Sequence, residues 1–177
     1  MKKLLIISAV VVCAAAVRAD ESAFQASLTP DIAVHPKTTQ INGFAINVWG
    51  ENPQHSFNLG FVNGSTGDSK GFSVGLVNYS ESYTGVQWGI VNYSNGDFKG
   101  WQDGWVNISK GTFTGFQHGT VNVADKFSGF QLGWVNYSKN LSGGLQIGLA
   151  NIALNNGWFD DMPDKFAKGF PIVNWSF

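Results

Sequence analysis

Gly129-Phe-Gln-Leu-Gly133-Trp-Val-Asn136, repeated one unit later as Gly144-Leu-Gln-Ile-Gly148-Leu-Ala-Asn151, decides how this chain is read. The same unit begins at Gly71, Gly85, Gly100 and Gly115, and a weaker copy at Ser56. The shared pattern is G-x-Q-x-G-x-V-N at a period of 14 to 15 residues. A short period used this often means one structural unit stacked on itself, so the fold is read from the repeat before anything else.

The second, fourth and sixth residues of each unit share one face of an extended strand. They are Phe130, Leu132 and Trp134 in one unit, Val86, Trp88 and Ile90 in another, and Leu145, Ile147 and Leu149 in a third. This face is apolar but tolerant of size. The opposite face is nearly constant, with Gln at 87, 102, 117, 131 and 146 among glycines. Lipid accepts any apolar shape, whereas a narrow lumen needs small and hydrogen-bonding side chains. A close-packed core would restrict size more tightly.

On this reasoning the chain is all-β. The expected architecture is a closed antiparallel transmembrane β-barrel of about ten strands. The strand-like segments are Phe24 to Val34, where Pro30 argues for an edge or a bulge, Ile41 to Trp49, the seven repeats, and Gly169 to Phe177. Aromatics near the turns (Tyr79, Tyr93, Tyr137, Tyr83, Phe98, Phe113 and Phe127) suit an interfacial girdle. Val173, Trp175 and Phe177 alternate at the very end of the chain, as a membrane-insertion signal would.

Three features resist a barrel. Asp103 and His118 fall at mid-strand on the apolar face, where a charge costs about 2–4 kcal/mol. The alternation slips at Val-Asn. Single-strand repeats would also give identical turns at both ends. The alternative is a β-solenoid, each repeat one coil with a corner near Val-Asn that turns the apolar positions inward. Asn63, Asn78, Asn92, Asn107, Asn122, Asn136 and Asn151 would then stack as a polar ladder.

The N-terminus reads Met1-Lys2-Lys3, an apolar run from Leu4 to Val17, then Val17-Arg18-Ala19. This is expected to be a signal peptide, residues 1–19, with one β-repeat domain over 20–177. Within it the repeats occupy about 56–153, a loop 154–168 and a C-terminal strand 169–177. Cleavage would remove the only cysteine and leave 8 Lys and no Arg against 12 acidic residues, a formal charge of −4. That balance argues against nucleic acid as a partner and against thiol chemistry. Charged residues are 13% of the chain and aromatics 14%, which suits an exported β protein with much surface out of bulk water.

The whole mature chain resembles an uncharacterised family of bacterial surface-repeat proteins with tandem G-x-Q-x-G-x-x-N units and ends like Phe170-Pro-Ile-Val-Asn-Trp-Ser-Phe177. The resemblance implies export and an outer-membrane or cell-surface location, and it implies no reaction. Asp103, His118 and Thr120 depart from the pattern.

No catalytic, cofactor or metal site is expected. His35, His55 and His118 lack metal-ligand spacing. Asp160, Asp161 and Asp164 lack the spacing of a calcium loop. Asn78, Asn92, Asn107 and Asn136 match a glycosylation sequon only because the repeat does. Asp103 and His118 could pair across adjacent strands. The expected partners, for a barrel, are membrane lipid and the barrel-insertion machinery. The expected role is structural or surface-interacting, or that of a secreted or surface-attached binding module if the chain is a solenoid.

Overall fold

The computed structural model describes residues 20–159 and 164–177; the expected leader, together with Asp160 and Asp161, lies outside the described residues. Eight strands follow in order: β1 (Glu21–Thr29), β2 (Ile32–Ala33), β3 (Gln40–Val74), β4 (Val77–Trp88), β5 (Val91–Ser94), β6 (Phe98–Asp103), β7 (Val106–Ala153) and β8 (Gly169–Ser176). The two longest, β3 and β7, run through several coils without a break.

Pairing between repeats is parallel and places each residue beside its own equivalent. Gly85 pairs with Gly71 and with Gly100, Gln102 with Gln87 and Gln117, and Asn92 with Asn78 and Asn107. The fold is therefore a β-solenoid, not an antiparallel barrel. Parallel strands need a crossover of a dozen or more residues, and here the remainder of each coil supplies it. Each coil has two unlike ends, a tight corner at Gly-x-Val and a longer turn after Asn-x-Ser. This removes the difficulty of identical turns. The alternation of 14 and 15 is absorbed in the longer turn, since Ser80 and Ser94 pair at the first spacing and Tyr83 and Phe98 at the second.

The interior also corrects the solenoid as first imagined, because the apolar second, fourth and sixth positions point outward. Inside stand the polar rows. Gln87, Gln102, Gln117, Gln131 and Gln146 are fully buried, as are the repeat asparagines from Asn78 to Asn151. A polar interior is costly unless its groups are hydrogen-bonded, and stacking identical amides bonds the members of each row to one another. Asn47, Asn63, Asn78, Asn92, Asn107, Asn122 and Asn136 each donate one Nδ2 hydrogen to the Oδ1 of the next in the row, ending at Asn151, at 2.7–3.0 Å. From Asn63 to Asn136 the second hydrogen goes to the backbone carbonyl at the fourth position of the following coil, as from Asn92 to Asp103 and from Asn107 to His118.

Glutamines donate the opposite way along the axis, from Gln102 to Gln87 and onward to Gln146, at 2.7–3.0 Å. The two columns of amide dipoles therefore oppose one another. Each ends on a buried oxygen without a donor, Oδ1 of Asn47 and Oε1 of Gln146, at opposite ends of the stack.

Beside the longer turn the interior becomes aromatic. Tyr83, Phe98, Phe113 and Phe127 stack at 5.1–5.8 Å and continue into buried Leu141. These rings, expected at a membrane interface, are core. Tyr83 donates or accepts at Ser73 Oγ, 3.1 Å away, and burial pushes its phenol up to about 12.

Two glycine rows make the close stacking possible. At the first position φ lies between 129° and 139° from Gly71 to Gly129, and a Cβ on Gly100 would sit 2.0 Å from the carbonyl oxygen of Gly85. At the fifth position a Cβ on Gly104 would meet Gly89 O at 2.3 Å and the Asn92 amide at 2.8 Å.

Both ends of the stack are turned back on themselves. At one end Pro30 follows the end of β1, and β2 pairs antiparallel with it. At the other end β8 runs antiparallel to the last coil, pairing Leu145 with Trp175 and Ile147 with Val173. Val173, Trp175 and Phe177 thus belong to, or directly follow, a capping strand, with Trp175 stacked on Phe166 at 4.3 Å. Such closure blunts edge-to-edge association. The described parts of the expected loop 154–168, residues 154–159 and 164–168, also lie against this end, through bridges Trp158–Ala167 and Lys165–Ser176.

Candidate functional site

The outer surface divides by chemistry. Ten Asp, Glu and Lys residues occur between 56 and 153: Asp68, Lys70, Glu81, Asp97, Lys99, Asp103, Lys110, Asp125, Lys126 and Lys139. All except Asp103 lie in or beside the longer turns, where Lys139 and Asp125 form an exposed ion pair at 2.8 Å. The opposite edge is apolar. Its ridge is the sixth-position row: Phe61, Leu76, Ile90, Trp105, Thr120, Trp134 and Leu149. Apart from Thr120, every member of that row is a large hydrophobic group left exposed.

Between the fourth- and sixth-position rows runs a groove of about 560 Å³. Its floor is the second glycine row, from Gly89 to Gly148, and its walls include Trp88, Trp105 and Trp134. Because no Cβ fits on the floor, the depression is built into the repeat. Trp105 and Trp134 are 69% and 66% exposed, so both rings are free to take a ligand.

Three departures from the repeat meet in this groove. Asp103 Oδ1 and His118 Nδ1 are 3.1 Å apart on adjacent coils, and Thr120 follows His118 across Gly119. The pair is solvent-accessible, and Phe116 stacks on the His118 ring at 6.2 Å. An exposed ion pair contributes about 0–1 kcal/mol, so stability gives little reason to place a carboxylate here. Elsewhere in the same row stand Leu59, Val74, Trp88, Leu132 and Ile147.

A larger hollow of about 770 Å³ lies toward β1 and β2, among Leu28, Ile32, Val34, Ile46 and Phe61. It is open and mostly apolar, with Ser27 and Asn47 as its polar lining residues. The groove has fewer apolar walls but converging polar atoms, which is the usual make-up of a specific site.

Other sequence candidates resolve simply. His35 bonds Ser22 Oγ through Nε2 at 3.0 Å, and among the described residues no cluster of His, Cys, Asp or Glu could hold a metal ion. The sequon asparagines are buried ladder members, closed to modification in the folded chain. Sequence reasoning named Asp103, His118 and Thr120 as departures but missed Trp88, Trp105 and Trp134 as groove walls. Their signal was present, since Trp88 shares the fourth-position row with Asp103 and His118. Compared with known proteins, the chain matches no family model, and neither a curated protein nor a solved structure is significantly similar to it.

Proposed function

We propose that this chain is an exported β-solenoid that acts as a surface-attached binding module, without catalysis of its own. The observation that carries the reading is the groove. The one carboxylate of residues 56–153 that lies off the charged edge, its histidine partner and the threonine that interrupts the apolar ridge all open onto it, between three exposed tryptophans. A rigid scaffold that repeats its backbone and varies only its outward side chains is well suited to presenting such a surface. Export rests on the N-terminal leader pattern and on the resemblance to surface-repeat proteins.

The test is a binding comparison on envelope material. Immobilised residues 20–177 should retain a component of the producing cell's envelope, and Asp103→Leu with His118→Leu should lose it while keeping the far-ultraviolet spectrum. Equal retention by both proteins would contradict a role for the groove.

The breadth of the exposed apolar rows favours a second reading, in which the ridge rests against an outer-membrane lipid surface and the role is structural. Contiguous apolar patches of more than a few hundred Å² mark interaction surfaces. Fractionation separates the two readings. A signal-cleaved protein released by salt or found free in the medium speaks for the module. One that leaves the membrane only in detergent speaks for lipid contact.

A further inference from the structure

We infer that the groove binds a neutral, linear oligosaccharide; this rests on the binding-module reading above and narrows its ligand class. The first argument is the polarity of the free atoms. His118 Nδ1 faces Asp103 Oδ1, which in the neutral tautomer places the proton on Nδ1 and leaves Nε2 an acceptor. Asp103 Oδ2 is a second acceptor, and among the described residues neither atom has a hydrogen-bond partner. Thr120 Oγ1 supplies one atom that can donate or accept. A site with acceptors in excess is completed by a ligand rich in hydroxyl donors.

The second argument is the walls. Aromatic rings present flat apolar faces, and the C–H faces of sugar rings are the flat apolar surfaces of an otherwise hydroxylated molecule. Trp105 and Trp134 stand two coils apart on the ridge with Thr120 between them, a separation of roughly 9.6 Å at the coil spacing. That is comparable to the repeat of a disaccharide. A sugar chain lying along the solenoid axis would stack on both rings and offer its intervening hydroxyls to Thr120, Asp103 and His118. The charged turns lie on the other edge of the coil, so nothing near the groove selects an anionic polymer.

The experiment uses residues 20–177 and a panel of cello-, chito-, xylo-, malto- and manno-oligosaccharides, read by tryptophan fluorescence and titration calorimetry. At least one should bind, with an affinity insensitive to salt. Trp105→Ala should weaken it by about tenfold or more, as should Asp103→Leu with His118→Leu. Trp105 is so exposed that its removal leaves the fold intact, and Leu at 103 and 118 restores the apolar character of the row. An oligolysine peptide is the contrasting probe, since Asp103 beside tryptophan rings would also hold a cation. Salt-sensitive binding of that peptide, with no oligosaccharide bound, would overturn the sugar assignment but leave a binding module. Binding of neither would also overturn the sugar assignment, and the envelope comparison above would then decide the binding-module reading by itself.

Discussion

Replacing Asn107 by alanine tests the amide ladder at its centre. Asn107 is fully buried, and three bonds end on it. Its Nδ2 donates to Asn122 Oδ1 and to His118 O, each at 2.8 Å, and its Oδ1 accepts from Asn92 Nδ2 at 2.8 Å. The His118 carbonyl keeps a bond from Gly104 N, and Asn92 keeps its second bond to Asp103 O. The damage is therefore one orphaned acceptor on Asn122 and one orphaned N–H on Asn92. A buried polar group left unsatisfied costs about 1–3 kcal/mol, so Asn107→Ala should lose about 2–6 kcal/mol. Asn140, exposed on β7 and accepting one solvent-accessible bond from Asn155 Nδ2 at 3.2 Å, is the control, and its alanine variant should change stability by about 0.5 kcal/mol or less. Urea unfolding of residues 20–177, followed by far-ultraviolet circular dichroism, reads both. If Asn107→Ala cost no more than Asn140→Ala, water would have to be reaching the asparagine row. The dry, self-satisfied interior would then be wrong.

Other outcomes follow from the same geometry. Gly100→Ala adds a Cβ 2.0 Å from a backbone oxygen at φ 137°, and should leave little folded protein at temperatures where Asn140→Ala is native by circular dichroism. Tyr83 should ionise near 12 in an ultraviolet pH titration. Its folded pKa is raised above the ordinary 10, so the stability linked to its neutral form is complete below about pH 10. That stability is lost as pH rises through 12, by about 3 kcal/mol, and Tyr83→Phe should abolish this part of the alkaline loss. Removing residues 169–177 uncovers the edge of the last coil, and size-exclusion chromatography should show end-to-end association that the full chain lacks.

The repeat made most of the local structure legible, and it also hid the closure of the fold. Outward placement of Phe130, Leu132 and Trp134 opposite an inward Gln131 is common to a lipid-facing strand and to a solenoid coil. What separates them is whether Gln102 lies beside Gln87 and Gln117 or each strand runs back against the last. That is a long-range fact, and one strand's alternation does not carry it. The inward row of Tyr83, Phe98, Phe113 and Phe127 was misplaced for a related reason. Aromatics beside turns look alike whether they girdle a membrane or fill the wide end of a coil. The polar interior ran against the solenoid alternative, which turned the apolar positions inward. Amides stacked on their own copies satisfy one another, and that depends on a register known only once the coils are stacked. By contrast, Asp103, His118 and Thr120 stood out because an exact repeat makes any departure visible, and the groove brings those three together.

The central claim is that each repeat is one coil stacked parallel and in register on the last. Lys99 and Thr114 are exposed register partners on adjacent coils, and residues 20–177 contain no cysteine. With Lys99→Cys and Thr114→Cys the two Cα atoms would be roughly 4.8 Å apart, within the range a disulfide bridges. The account expects rapid intramolecular cross-linking of this pair under mild oxidation. It expects none for Lys99→Cys with His118→Cys, whose second site lies roughly 13 Å further along the strand. Cross-linking of 99 to 118 but not to 114 would mean antiparallel neighbours, and would contradict the solenoid.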